Sequence, residues 1–537
     1  MIIPVVFSLD PLVQNYYGHV FLKGVCFARE YGWPVFAQRE IVEIDTYPQW
    51  LKDSLYSEEV AKATQHIPFK RHYLQQCACE ILPEDIIDRY MRSYPSRTDA
   101  QLASMSHSWP EMTAYIVKRV KEIENARKEK IEAFMMQTAP RFVQDAAKEL
   151  GVCVIDYEWS AFRAPEYQTT ARIDFKGSVG NGELLDRYRA FCDMGDTVPI
   201  LSKREILAIL LNDEYLERCW VEDIEPKYEA GIALGYSIPN VFTAYNHCSS
   251  MEMVKKAQAV FGEEEICVRY HPGDPVHAKI YGVKEEEGSL YDFIRMCKRI
   301  VCCTSNIAYE AMLYNRPSYE MGWSQMAAYA NSSLDELQDI IAEDHFLSFV
   351  AFGYYAPIEL LNNIEYLRWR LTKPSEKEIY EYHLYYILNC RGIDKEVLND
   401  TEDRLNQIIE RRCPGKENVV DMKDKPIWMK TDYASQLMIQ IHRLEALSEA
   451  QRIVNKQKDD TINQSNETIE HQKEELQIAN EAIKRQKEEL QIANETNERL
   501  NETLLENQNY LQTILKTKAY RWSRRIADYV NRLFRRG

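Results

Sequence analysis

The sequence has 537 residues with a hydrophobic fraction of 45%, too long for one core and suited to about two to four domains. Its formal net charge of −17 excludes nucleic acid as the expected partner, since neutralising phosphates needs a basic surface. Thirteen scattered cysteines form no CxxC pair and no zinc-ligand spacing, so reduced buried thiols of a cytosolic protein are expected, with no metal.

The segment Met1 to Leu12 lacks a basic leader and runs straight into Asp10 and Pro11. It reads as a first strand, not a signal peptide. No apolar run reaches the roughly 18 residues needed to span a bilayer, so the expected location is the cytoplasm. A helix is predicted from His19 to Tyr31, stopped by Gly32-Trp33-Pro34, and Val35-Phe36-Ala37 reads as a strand. Met112 to Met136 reads as a long charged helix, Phe142 to Leu150 as another ended by Gly151, and Val152 to Tyr157 as a buried strand. Such β–α alternation predicts a mostly parallel sheet.

A second α/β stretch follows. Strands are predicted at Val241–Tyr245, Ile266–Tyr270, Ile300–Cys303 and Pro317–Met321. Helices are predicted at Met251–Phe261, Leu290–Lys298 and Ile307–Tyr314. This pattern implies a doubly wound, Rossmann-like lobe. A Tyr-rich helix from Thr372 to Asn399 folds back in this reading, and residues 412–428 read as a linker around Pro414-Gly415 and Pro426.

The most regular feature is a heptad. Ile462, Ile469, Leu476, Ile483, Leu490, Asn497, Leu504 and Leu511 recur every seven residues, and QKEELQIANE at Gln472–Glu481 returns verbatim at Gln486–Glu495. An apolar row at that period predicts a coiled coil and a homo-oligomer. In the last 22 residues eight Lys and Arg face a single Asp528, with Tyr520, Trp522, Ile526, Tyr529, Val530, Leu533 and Phe534 as the apolar side. A basic amphipathic helix of this kind suits an anionic membrane surface. The expected division is therefore 1–205 and 206–371 for two lobes, 372–435 for a closing helix and linker, 436–515 for the coiled coil and 516–537 for the tail.

Ligands of open α/β sheets bind beyond the carboxyl ends of the strands. Two such ends carry polar residues here. Arg269 and His271 can donate to phosphate oxygens, and Thr304-Ser305-Asn306 opens a helix whose free N–H groups favour an anion. Glu310, within that helix, is placed to accept from ribose hydroxyls. His19, after Gly18, is a further candidate for the cleft.

VRYHPGD, followed by CCTSNIAYEAMLYNRPSYEMG, resembles the capsule and O-antigen Kdo transferases, as does IDYEWSAFRAPEYQTT in the first lobe. The likeness covers roughly residues 150–325. It implies a GT-B-like pair of Rossmann-like lobes with a donor cleft between them, acting on CMP-Kdo in surface-polysaccharide synthesis without a metal or other cofactor. It implies that His271 and Ser305, with Asn306 beside them and Arg269 near, bind the CMP phosphate and that Glu310 holds the ribose. Glu158 would be the acid/base, and Arg163 and Thr169 would bind sugar or acceptor. The acceptor would be a glycan or lipid-linked glycan at the inner face of the cytoplasmic membrane. Ser160 stands where the pattern has Gly, Ala164 is inserted before Pro165, and Tyr245 to Ser250 lacks the usual acidic residue. Asp156 and Asp174 are the candidates for a second carboxylate. Two other readings are a glycerophosphotransferase of teichoic-acid type and a non-catalytic, transferase-like scaffold organised by the coiled coil.

Overall fold

The computed structural model describes residues 1–9, 13–47, 49, 52, 77–177, 182–195, 198–221, 224–236, 246–271, 280, 282–322, 325, 328–335, 337–414, 491 and 496–532. The chain divides into two units, Met1–Asp421 and Met422–Gly537.

The first unit holds two sheets. Seven strands build one of them: β1 (Ile2–Val6), β2 (Val35–Ala37), β3 (Cys79–Ile81), β4 (Ala133–Gln137), β5 (Cys153–Trp159), β6 (Thr170–Asp174) and β12 (Tyr355–Pro357). Their order is β12-β6-β5-β4-β1-β2-β3. The run from β3 to β5 is parallel, and β6 is antiparallel to both β5 and β12. Strands β1, β4 and β6 are buried on both faces, which explains why they read as continuous apolar runs with little alternation. The second sheet is wholly parallel: β7 (Ala230–Ala233), β8 (Ile266–Arg269), β9 (Lys284–Glu285), β10 (Ile300–Cys302) and β11 (Ser318–Glu320), in the order β11-β10-β7-β8-β9. Numbered from its own first strand, each sheet carries the Rossmann order 3-2-1-4-5. The pair of lobes is GT-B-like.

Several boundaries differ from expectation. The helix expected at Met112–Met136 is Pro110–Arg127, and β4 follows it. Lys128 takes a left-handed backbone at φ 58°, and the Glu124 carboxylate accepts the Ile131 N–H at 2.9 Å. That turn frees Ala133–Gln137 to enter the core. The strand expected at Val241–Tyr245 lies outside the described residues. The second sheet begins instead at β7, a four-residue strand in which a Cβ on Gly231 would stand 2.5 Å from Cys297 Sγ. The helix expected from Thr372 to Asn399 is shorter: it starts after the capping box at Ser375, runs Glu376–Cys390, and gives way to a 3-10 turn at Lys395–Asn399.

The chain returns to the first sheet at β12, inside the stretch expected to belong to the second lobe. Ile364, Tyr366 and Leu367 join the first lobe's core. A separate core gathers Ile206, Leu207, Leu210 and Leu216 with Phe346, Phe349, Phe352, Tyr380, Leu384 and Ile408. There the helix Arg404–Arg412 is tied to the helix Lys203–Leu210 by a buried ion pair. Arg404 donates to the Glu205 carboxylate at 2.6 and 3.0 Å, while Glu205 also caps Ser202.

In the second unit, residues 496–532 form a helix whose side chains are almost all exposed. Leu500, Leu504, Leu511 and Leu515 stand 57–64% exposed. The heptad upstream of residue 491 lies outside the described residues, as does the linker beyond Pro414. No described helix is long and apolar enough to cross a membrane.

Breaking a buried ion pair from one side strands a charge. Arg404→Met should therefore lower unfolding stability in urea by about 3–5 kcal/mol. A loss within the scatter of surface substitutions would contradict a structural role for the pair.

Candidate functional site

Glu158 lies near the carboxyl end of β5, next to the carboxyl end of β4. Both strand ends face the side where α/β ligands bind. Gln137, the last residue of β4, donates its amide to both Glu158 oxygens at 2.9 Å. Thr138 Oγ1 donates to Oε2 at 3.4 Å, and the Trp159 N–H donates to Oε1 at 2.8 Å. The carboxylate is 6% exposed, so these donors replace the water it gave up. The Lys23 ammonium sits 4.6 Å over the Trp159 ring. Burial lowers its pKa to about 8, against the pull of Glu158 and Glu359.

The second lobe reaches this edge. Asn306 donates from Nδ2 to the Trp159 carbonyl at 3.0 Å, so the turn Thr304-Ser305-Asn306 abuts the residue beside Glu158. The Ser305 N–H points to Glu320 Oε2 at 3.5 Å, and Ser305 Oγ accepts the Ile307 N–H at 3.4 Å. The helix that follows, Ile307–Leu313, has only seven residues, shorter than expected. Its dipole is correspondingly weak, and the polar side chains of the turn carry more of the argument.

A second cluster lies between the lobes. Glu310 is 1% exposed, and its Oε1 has no hydrogen bond among the described residues. Burial raises its pKa to about 8. Glu166 adds to the rise, while Tyr167, Arg163 and Arg269 oppose it. Glu310 is thus largely protonated at neutral pH and can donate as well as accept. Glu166 is itself raised, mainly by burial. Tyr167 and Tyr314 hydroxyls meet at 2.9 Å across the same junction. Arg269 donates to the Gly288 carbonyl. The His271 ring packs on Tyr236 with centroids 4.3 Å apart.

Arg163 and Thr169 belong to the loop between β5 and β6, which contains the cis Ala164-Pro165 bond. Arg163 Nε donates to the Ser160 carbonyl at 2.7 Å. Thr169 Oγ1 accepts the Ala164 N–H at 3.0 Å and is 2% exposed. It closes the loop around the inserted Ala164. Ser160 is buried and accepts the Phe162 N–H at 3.2 Å, so its hydroxyl has a structural use in the turn where the family pattern has Gly. The side chain of His19 lies outside the described residues.

Neither guessed second carboxylate stands open. Asp174 accepts from the N–H groups of Lys176, Gly177 and Glu183 and from the Tyr354 hydroxyl, at 2.7–3.0 Å. All its lone pairs are taken by its own loop and the π-helical turn before β12. Asp156 accepts the Ala139 N–H at 2.8 Å and anchors the turn after β4. Sequence reasoning passed over Gln137, Lys23, Glu166 and Arg172. Gln137 had a readable signal, a polar residue ending an apolar strand. Among the described residues, no group of three or more His, Cys, Asp and Glu is placed to hold a metal ion.

The raised Glu310 has a stability signature. Its folded pKa of about 8 exceeds the ordinary value of 4.5, so between those limits the folded state binds more protons than the unfolded chain and stability falls as pH rises. Glu310→Gln removes that loss. Relative to the unchanged protein, its stability should improve progressively from pH 5 to pH 8, by on the order of 1 kcal/mol per pH unit. Parallel stability curves would show that Glu310 does not titrate in this way.

Residues 38–183, from the residue after β2 to the loop after β6, match the Glycosyltransferase 99 family N-terminal domain. No curated protein matches. Among solved structures, Thermosulfurimonas dismutans KpsC, beta Kdo 2,7 transferase, is similar at 15% identity. It covers 48% of this chain and 90% of its own, with TM-score 0.32. The KpsC beta Kdo 2,4 transferase of the same organism is similar at 16%, covering 48% and 95%, with TM-score 0.31. Os79 from O. sativa, in complex with UDP, is similar at 9%, covering 72% and 100%, with TM-score 0.29. At such TM-scores these three likenesses carry no functional weight. The sequence match spans β4, β5, β6, Gln137 and Glu158, so this stretch of the first lobe is similar to the N-terminal domain of the glycosyltransferase 99 family.

Proposed function

We propose that this chain is a glycosyltransferase of surface-polysaccharide synthesis that moves Kdo from CMP-Kdo to a glycan or lipid-linked acceptor. The observation that carries the reading is the 3.0 Å hydrogen bond from Asn306 to the Trp159 carbonyl. It joins the polar turn of the second lobe, where the nucleotide phosphate would bind, to the residue beside Glu158. Arg269, His271 and Ser305 hold the CMP phosphate, and Glu310 receives the ribose.

In the transfer, the acceptor hydroxyl gives its proton to the Glu158 carboxylate as its oxygen bonds to the anomeric carbon and CMP departs with the bonding pair of the broken C–O bond. The amide of Gln137 and the Trp159 N–H fix the carboxylate's orientation, which is what a positioned acid/base needs. Arg163, exposed and close enough to act on the Glu310 carboxyl, favours an anionic substrate there. The helix containing residues 496–532 oligomerises the enzyme, and its basic end rests on the inner face of the cytoplasmic membrane, near lipid-linked acceptors. The exposed Leu500, Leu504 and Leu511 and the exposed Trp522 and Ile526 support these two roles.

Ligand that binds only the folded state raises stability by mass action, about 2.7 kcal/mol at a hundredfold excess over Kd. The full chain should therefore melt at a higher temperature with CMP than with UDP, and His271→Ala should abolish the shift. Glu158→Gln should keep the CMP shift and lose at least a hundredfold in turnover of CMP-Kdo, the range of acid/base catalysis. A chain that no cytidine nucleotide stabilises would end this reading. For the rod, sedimentation of the full chain should give more than one copy per particle, and Leu504→Asp with Leu511→Asp should shift it toward the monomer.

A further inference from the structure

Five arginines are buried among the described residues: Arg172, Arg187, Arg295, Arg370 and Arg404. Four have partners. Arg187 is held by the Glu376 carboxylate at 2.8 and 2.9 Å and Arg404 by Glu205. Arg295 donates to the Tyr291 hydroxyl at 2.5 Å and Arg370 to the Tyr366 hydroxyl at 2.9 Å. The side chain of Arg172, a residue 4% exposed, makes no hydrogen bond and no ion pair among the described residues, and its Nε is left without an acceptor.

Its place in the fold sharpens the point. Arg172 lies on β6, directly across the ladder from Glu158 on β5. Opposed residues leave the same face of a sheet with Cβ atoms about 5 Å apart. Asp156 and Asp174 form the next such pair. An arginine among three carboxylates would ordinarily donate to one of them, yet none makes a hydrogen bond to it among the described residues, and the charges of Glu158 and Asp156 act on it only across space. Glu158 is held by Gln137 and the Trp159 N–H, Asp156 holds the Ala139 N–H, and Asp174 is fully used by its loop and Tyr354. A buried guanidinium without a hydrogen-bond acceptor is costly even where nearby charges favour it, and a ligand that supplies the missing acceptor recovers that cost on binding.

We infer that Arg172 binds the carboxylate of the transferred sugar acid, beside the acid/base Glu158. This rests on the function proposed above and adds to it the group that tells an acidic sugar from a neutral one. A guanidinium presents a planar fork of donors that fits a carboxylate with two parallel hydrogen bonds. In a 2-keto sugar acid the carboxylate is attached to the anomeric carbon itself. Its receptor must therefore sit within reach of the acid/base, as Arg172 does, and not with the nucleotide contacts of the second lobe. A neutral sugar in this position would leave the guanidinium unpaired, which is how a buried polar group rejects an analogue that lacks its partner.

The test separates sugar recognition from nucleotide recognition. Release of CMP from CMP-Kdo by the full chain gives KM for the donor, and competition by CMP gives Ki for the nucleotide alone. Arg172→Gln should raise KM by about tenfold or more, the worth of hydrogen bonds to a charged group, and leave the Ki of CMP unchanged. Arg172→Lys, which keeps the charge without the fork, should recover part of the loss and serves also if the Gln variant does not fold. An unchanged KM in either folded variant would overturn the inference, as would KM and Ki rising together. If the unchanged protein binds CMP yet releases none from CMP-Kdo, the donor assignment fails and this inference with it, whereas a change confined to the variants tests Arg172 alone.

Discussion

A carboxylate set at the edge of a buried sheet stays in one place only where donors meet its lone pairs. Glu158 meets that condition through the amide of Gln137, the Thr138 hydroxyl and its neighbour's N–H. Parallel pairing of β4 with β5 puts Gln137 in register with Tyr157, and so brings the amide to the acid. The loop after β5 must then turn sharply, and Ser160, Thr169 and the Ala164-Pro165 bond shape it. From that loop come Arg163, Glu166 and Tyr167, the first lobe's contributions to the junction around Glu310. One buried acid, held by protein donors in place of water, thus organises the edge on which the rest of the site is assembled.

The junction between the lobes combines two kinds of contact. Asn306 with the Trp159 carbonyl and Tyr167 with Tyr314 are hydrogen bonds across it. Glu310 and Glu166, both pushed toward their neutral forms, are acids that burial keeps from repelling each other. A protonated Glu310 tolerates Glu166 as a neighbour, and the cations Arg163 and Arg269 oppose the rise of its pKa. The chemistry of the site and the mutual hold of the lobes draw on the same few residues, so substitutions here change both.

Much of this was legible in the sequence. The second lobe's alternation of strands and helices was readable because its helices carry Ser caps and stop at Gly, as at Ser249 and Gly262. Glu158 was found only through the resemblance of its segment to a family pattern, since the strand read from the sequence stopped one residue short of it. β7 was hidden because four residues with a glycine give no period, and its burial follows from the close approach of Phe293 and Cys297. β4 was hidden behind a charged helix whose end depends on a left-handed Lys128, a residue with no special signal for it. Asp174 drew notice as a carboxylate, but only tertiary structure reveals that a loop and Tyr354 occupy it. Arg172 drew none, because a missing partner is a property of the fold and not of the residue type.

The strand β12 has a consequence for how the chain comes to be folded. It closes the first sheet against β6, yet some 180 residues separate Asp174 from Tyr354, the residue that enters it. At a ribosomal rate of about 5–20 residues per second, the edge of β6 waits roughly ten to forty seconds for its neighbour during synthesis. The second lobe emerges whole in that interval. The natural order of assembly is therefore nested, the inner lobe first and the outer lobe last. An unfinished first lobe, with a long-lived open edge of the kind that pairs wrongly, is the state most in need of a chaperone.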